Sequence, residues 1–164
     1  MQKKEYFCLN WSLTTDYTMK KLLALAGTLF AICNLSAQTY KVGDLYDVDG
    51  KRGVVFEISA DGQHGKIVAD TQSSEKMTWH EAMAWGKQLK GGWYIPSYEE
   101  LKQLLDVRSV VGERLKGEDG KLPNFSWTTT EFDPNSAWAV SLRTESQGGF
   151  YKRNKFGVCI VSKF

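Results

Sequence analysis

The sequence predicts an α+β domain, and three observations carry that prediction. Residues Tyr40 to Asp70 fall into short β-rich runs broken by Asp-Gly turns. Two helix-start signatures follow at Thr78 and Ser97, and a hydrophobic period of two returns after Phe125. With no internal repeat and no low-complexity linker, the order strands, two or three helices, strands implies antiparallel strands flanking a helical middle.

The first strands are expected at Leu45 to Val48, Gly53 to Ile58 and Lys66 to Ala69. Asp49-Gly50, Asp61-Gly62 and Gly65 punctuate them, and Asp-Gly between β-rich runs is a hairpin signal because it tolerates positive φ. These aspartates do not make a calcium loop. Asp47, Asp49 and Gly50 lack the third oxygen ligand that such a loop places before its glycine.

Thr78-Trp79-His80-Glu81 reads as a capping box, in which the threonine hydroxyl and the glutamate carboxylate satisfy free amides at a helix start. Trp79, Ala82, Met83 and Leu89 then share one helical face, and Gly91-Gly92 stops the run. Ser97-Tyr98-Glu99-Glu100 repeats the device after Pro96, with Tyr98, Leu101, Leu104 and Leu105 on one side. Val110, Val111 and Leu115 suggest a third helical turn or two.

Beyond the polar stretch Lys116 to Asn124, strands are expected at about Phe125 to Thr130, Ala137 to Leu142, Phe150 to Arg153 and Phe156 to Val161. Asp133-Pro134-Asn135 and Gln147-Gly148-Gly149 carry the residue types of the turns between them.

The N-terminal region reads as a secretory signal. Met19-Lys20-Lys21 supplies a positive start, Leu22 to Cys33 a short apolar run, and Leu35-Ser36-Ala37 a small residue for cleavage before Gln38. A membrane span needs about 18 or more apolar residues, and Asn34 interrupts this run well short of that. Ile32 stands before Cys33 where lipidation favours a small residue, so an anchored lipoprotein is the lesser reading. The expected organisation is therefore an upstream extension at 1–18, a signal peptide at 19–37 and a single domain at 38–164. Its expected destination is the periplasm, the outer surface or the medium, with no transmembrane span in the mature chain.

Of the chain's 21 basic and 19 acidic residues, four basic and two acidic ones precede Gln38, which leaves seventeen of each in the domain. A balanced domain asks for no nucleic acid and no strongly acidic partner. Cys159 is the only cysteine after Gln38, so the domain has no internal disulfide and depends on packing. Its five Trp, six Phe and five Tyr read first as core, because each aromatic ring buries roughly 150 to 250 Å².

Five pieces occur in order: Thr78 to Ala82, Gly91 to Leu101, Trp127 to Glu131, Ala137 to Val140, and Phe156 to Val161. As T-W-x-E-A, G-G-W-x-x-P-[ST]-x-x-E-L, W-[ST]-[ST]-[ST]-E, A-W-x-V and a closing aromatic strand with a cysteine, they resemble the C-terminal domain of Lcl-type surface adhesins. That family consists of otherwise uncharacterised secreted domains. The resemblance covers roughly residues 75 to 162 and implies a C-type-lectin-like fold, shared with formylglycine-generating enzymes. Tyr94 and Val158 stand where the family often has arginine, so a ligand touching those arginines need not be shared. Trp79, Trp93, Pro96, Leu101, Trp127 and Trp138 are apolar or sit at element starts, and they read as residues that hold the fold.

No catalytic constellation emerges. Formylglycine-generating chemistry needs a cysteine-based copper site or redox pair, and Cys159 stands alone inside an expected strand. His80-Glu81 would open an H-E-x-x-H zinc helix, but Ala84 occupies the second histidine's place. His64 lies in a Gly-rich turn without a G-x-S-x-G elbow, and adjacent Glu99 and Glu100 point apart on a helix. Glu131, Asp133, Pro134 and Asn135 only faintly echo a lectin calcium loop and read as a turn. No metal and no cofactor are expected.

The remaining candidate is basic: Lys152, Arg153 and Lys155, with Tyr151 interleaved and Arg143 on a strand that could lie beside them. Such a patch reads first as a solvated hairpin with edge-protecting lysines, and it could also bind sulfated or acidic glycans. The expectation is an exported, non-enzymatic recognition or surface-associated domain with a surface glycan or envelope protein as partner. The alternatives are a structural subunit of an envelope assembly and an enzyme on a formylglycine-generating-enzyme-like scaffold.

Overall fold

The computed structural model describes residues 38–73, 75–115 and 122–164. The expected signal peptide at 19–37 and the upstream extension at 1–18 lie outside the described residues.

Among the described residues, two antiparallel sheets and three helices form an α+β domain, as the sequence pattern predicts. Strands β1 (Leu45–Val48), β2 (Lys51–Ile58) and β3 (Gly65–Ala69) start the chain. Helix α1 (Trp79–Gly86), a two-residue strand β4 (Trp93–Tyr94) and helices α2 (Tyr98–Asp106) and α3 (Arg108–Arg114) follow. Strands β5 (Ser126–Asp133), β6 (Ser136–Val140), β7 (Gln147–Tyr151) and β8 (Val161–Lys163) complete it. The larger sheet has the order β1-β2-β3-β8-β4 and the smaller β5-β6-β7.

Local chemistry accounts for most boundaries. Val48 pairs with Lys51 across Asp49-Gly50, both at positive φ, so the first hairpin closes through a two-residue turn of the type Asp-Gly favours. Both capping boxes form: Thr78 Oγ1 accepts the Glu81 amide while Glu81 accepts the Thr78 amide, and Ser97 and Glu100 do the same for α2. α1 ends at Gly86 with Lys87 as its cap, so Leu89 lies past the helix and Gly91-Gly92, both at positive φ, follow a separate turn and do not stop it as the sequence suggests.

Three further expectations need correction. Gln147-Gly148-Gly149 is not a turn but the start of β7, with Gly149 opposite Trp138. The actual turn lies between Ser141 and Ser146, where the Ser141 hydroxyl accepts the Thr144 amide and Glu145 takes positive φ. Consequently Leu142 lies beyond β6, and Lys152 and Arg153 lie beyond β7. The last strand begins at Val161, not Phe156, because Phe156 and Gly157 cross between sheets, bridging to Met77 and Ser126 before the chain joins β3. The short strand β4 has no sequence period of its own and exists through pairing with β8.

The main core lies between the larger sheet and the α2–α3 pair, where Val54, Val68 and Val161 meet Leu101, Leu104 and Val111. A second core joins α1 to the smaller sheet through Trp79, Ala82, Ile95, Trp127, Ala137 and Ala139. Tyr40, Val55 and Ile67 cover the opposite face of the larger sheet with Tyr46 and Phe164. Two of the motif tryptophans hold the fold as the sequence suggests: Trp79 Nε1 donates to the Thr128 carbonyl and Trp127 Nε1 to the Met77 carbonyl, each at 2.9 Å. These bonds satisfy the polar atom of a buried ring while fastening α1 and its lead-in to β5.

Candidate functional site

The start of α1 stands where the end of β7 and the β5–β6 turn converge. The Lys152 carbonyl accepts the Trp79 amide at 3.0 Å, and the Lys152 amide donates to Asn135 at 2.9 Å. Three backbone segments are thereby held together around one residue. Two open grooves flank this junction, and His80, exposed on the first turn of α1, lines both.

The larger groove has a volume of about 780 Å³ and runs along α1 past Trp79, Met83, Ala84 and Ile95 to Tyr94. Its one carboxylate, Glu100, is already engaged: it accepts the Tyr94 hydroxyl at 2.8 Å and the Ser97 amide at 3.0 Å, and Lys66 lies 3.4 Å away. Burial pushes the Glu100 carboxyl up, but the Ser97 amide, the Tyr94 hydroxyl and the Lys66 ammonium together hold it below its ordinary value. Tyr94 is driven the other way, upward, by burial and by the same carboxylate. The free cation at this groove's rim is Lys87, exposed and without an ion pair among the described residues.

The smaller groove, about 530 Å³, lies between His80, Pro134, Asn135, Tyr151 and Arg153. Its wall carries no carboxylate side chain. Arg153 is exposed and stacks with its guanidinium 5.0 Å from the centre of the Tyr151 ring, and it makes no ion pair among the described residues.

Beside it runs a row of rings on one face of the smaller sheet. Tyr98 stacks on Trp138 at 4.3 Å, Phe132 meets Trp138 edge-on at 5.0 Å, and the Tyr98 hydroxyl donates to Gln147. Phe132 lies over Gly149, where a Cβ would overlap its ring. Gly149 and Tyr151 share a face of β7, about 7 Å apart along the strand. Phe132 and Tyr151 are therefore neighbours on one surface, and they remain 54% and 58% exposed.

The five predicted site residues do not form one patch. Tyr151 and Arg153 stay together at the smaller groove. Lys152 is a correction: it is 8% exposed, with its ammonium bonded to Glu131 at 2.6 Å and to the Pro134 carbonyl at 2.9 Å, 4.6 Å over the Trp79 ring. It is a packing residue, because alternation past the end of β7 turns it inward. Arg143 does not lie beside the others. Val140 pairs with Gln147 at one end of the hairpin and Ser136 with Tyr151 at the other, a separation of about 14 Å, and Arg143 sits past the Val140 end bonded to Asn124. Lys155 is exposed on a third, smaller hollow beside Phe125 and Phe156, where its charge acts on Glu81.

Sequence reasoning missed Phe132 and the larger groove, took Trp138 only as a residue that holds the fold, and weighed His80 only as a zinc ligand. The aromatic count reads as core because composition does not separate a buried ring from an exposed one. The available signal was Gly149 within two residues of Tyr151, a missing side chain that makes room for a ring from across the sheet.

No family model matches the chain, and no curated protein matches it. Among solved structures, the chain is similar to botrocetin, with 16% identity over 62% of this chain and 89% of that one and a TM-score of 0.38. It is also similar to a chain from the complex of a mutant von Willebrand Factor A1 domain with botrocetin, with 12% identity over 74% of this chain and 97% of that one and a TM-score of 0.40.

Proposed function

We propose that the chain is an exported, non-enzymatic recognition domain on a C-type-lectin-like scaffold, and that it binds acidic glycans at the groove formed by Tyr151 and Arg153. The observation that carries this reading is an unpaired guanidinium stacked on an exposed tyrosine beside a groove wall with no carboxylate. A flat ring packs against the apolar face of a sugar, and an arginine fork bonds a carboxylate or sulfate through two parallel N–H donors. Phe132, held exposed over Gly149, extends the ring surface for a second sugar. The Lcl-type motif order and the signal-like segment Met19 to Ala37 support surface recognition as the setting.

A glycan array comparing neutral, uronate and sulfated oligosaccharides tests the reading, followed by titration of Arg153→Ala and Tyr151→Ala. Acidic glycans bind preferentially, Arg153→Ala weakens them at least tenfold, and binding declines with salt as an exposed charge requires. Equal binding of neutral and acidic glycans, or silence across the array, rejects it. Export is tested by sequencing the N terminus of the secreted product: a start at Gln38 supports it, and a start at Met1 or Gln2 removes it.

A further inference from the structure

His80 forms the partition between two grooves of opposite character. On one side lie Tyr151 and unpaired Arg153. On the other a larger trough runs over Met83, Ala84 and Ile95, and its carboxylate, Glu100, is held by Tyr94, Ser97 and Lys66. The larger trough falls within the roughly 300 to 1,000 Å³ of small-molecule sites, with Met83, Ala84 and Ile95 as an apolar strip among polar side chains that include Lys87, Ser97 and Thr129.

We infer that the ligand is an acidic amphiphile: an acidic sugar head seated at Arg153 and Tyr151, bearing an apolar chain that passes His80 and lies along α1. This rests on the acidic-glycan reading and deepens it by naming the aglycone. Charge complementarity selects the occupant. The exposed, unpaired cations at the two grooves are Arg153 and Lys87, among the described residues, and the carboxylate that lines either groove, Glu100, is paired with Lys66; Glu131 is paired with Lys152, while Glu81 and Asp133 stand outside both groove walls, bonded to neutral N–H and O–H donors. An anionic head at Arg153 therefore meets a cation and no carboxylate in the wall of its groove, while a cationic amphiphile meets two unpaired cations. Met83, unbranched and half-buried, is the side chain best able to adjust to a flexible chain.

The test compares methyl β-glucuronide, octyl β-glucuronide and octyl β-glucoside, each below its micelle concentration, by calorimetric titration against the purified protein. Each methylene withdrawn from water strengthens binding roughly three- to fourfold. Octyl glucuronide is therefore expected to bind at least tenfold more tightly than the methyl compound, even with only part of the chain seated. Ala84→Trp, at an exposed position of α1, fills the trough and removes that preference while leaving methyl glucuronide binding unchanged; Ala84→Glu at the same position also removes the preference by setting a charged group against the chain, and the methyl compound reads its separate effect on the anionic head. Equal affinity for the methyl and octyl glucuronides overturns the amphiphile inference and leaves the acidic-glycan reading standing. A preference that survives both Ala84 variants, or octyl glucoside binding as tightly as octyl glucuronide, also overturns it. No binding of any of the three removes both readings together.

Discussion

The Lys152 ammonium donates to the Glu131 carboxylate at 2.6 Å, joining the residue after β7 to the strand that leads into the β5–β6 turn. The same nitrogen bonds the Pro134 carbonyl and covers the Trp79 ring, so one side chain ties both strands to α1. Lys152→Ala is expected to destabilise the domain by about 1–3 kcal/mol, held to that range because Glu131 remains half-exposed and rehydrates. Lys152→Met costs less, since it keeps apolar contact with Trp79. Arg153→Ala changes stability by less than about 0.5 kcal/mol. Urea unfolding of the three variants checks the ranking, and a Lys152→Ala protein as stable as wild type refutes the structural role.

Gly149 holds the place of the Phe132 ring. Gly149→Ala forces that ring off the Trp138 edge, with an expected loss of about 1 kcal/mol. In a Phe132→Ala background the same substitution becomes nearly neutral, because the obstructing ring is gone. A double-mutant cycle by chemical denaturation measures the coupling, and additive effects would remove the contact from the account.

The Glu100 carboxyl sits below its ordinary value of 4.5 in the folded protein. A depressed folded value contributes stability that is present above about pH 4.5 and is lost as pH falls through the folded value. Lys66, whose partners Glu57 and Glu100 outweigh the opposing effect of burial, is raised above 10.5. Its contribution is present below that pH and is lost as pH rises through the folded value. Glu100→Gln should therefore flatten the acid limb of stability below about pH 4.5, read as the urea midpoint against pH. An acid limb identical to wild type would show that Glu100 does not carry it.

Cys159 is wholly buried among the core residues, and burial pushes its thiol up to about 12. In a protein with Cys8 and Cys33 replaced by serine, a thiol reagent should leave Cys159 unmodified under native conditions and label it on unfolding. Labelling rates across a urea series should follow global unfolding. Rapid native labelling would contradict the packing around Val158 and Val161.

Legibility divides along residue separation. The Asp49-Gly50 turn and the Thr78 and Ser97 boxes each join residues three or fewer apart, and all three form as read. The same local rules misplace Gln147-Gly148-Gly149. Two glycines and a polar residue have turn composition, but the ring they accommodate comes from Phe132, seventeen positions away. The basic run around Lys152 fails for a related reason. Charge is visible in one dimension, whereas Glu131 and Trp79, the groups that bury Lys152, come from other elements.

The α+β class, the capped starts of α1 and α2, the tight first hairpin and the lack of any possible disulfide after Gln38 follow from the sequence itself, because each depends on backbone preference or on a count. Tertiary structure decided which rings face solvent, which cations remain free and which grooves share a wall. Phe132 and Tyr151 are exposed while Trp127 is sealed, and Arg153 is open while its neighbour Lys152 is closed. Those outcomes are set by strand register, and register is a sum over contacts between distant residues that no local period contains.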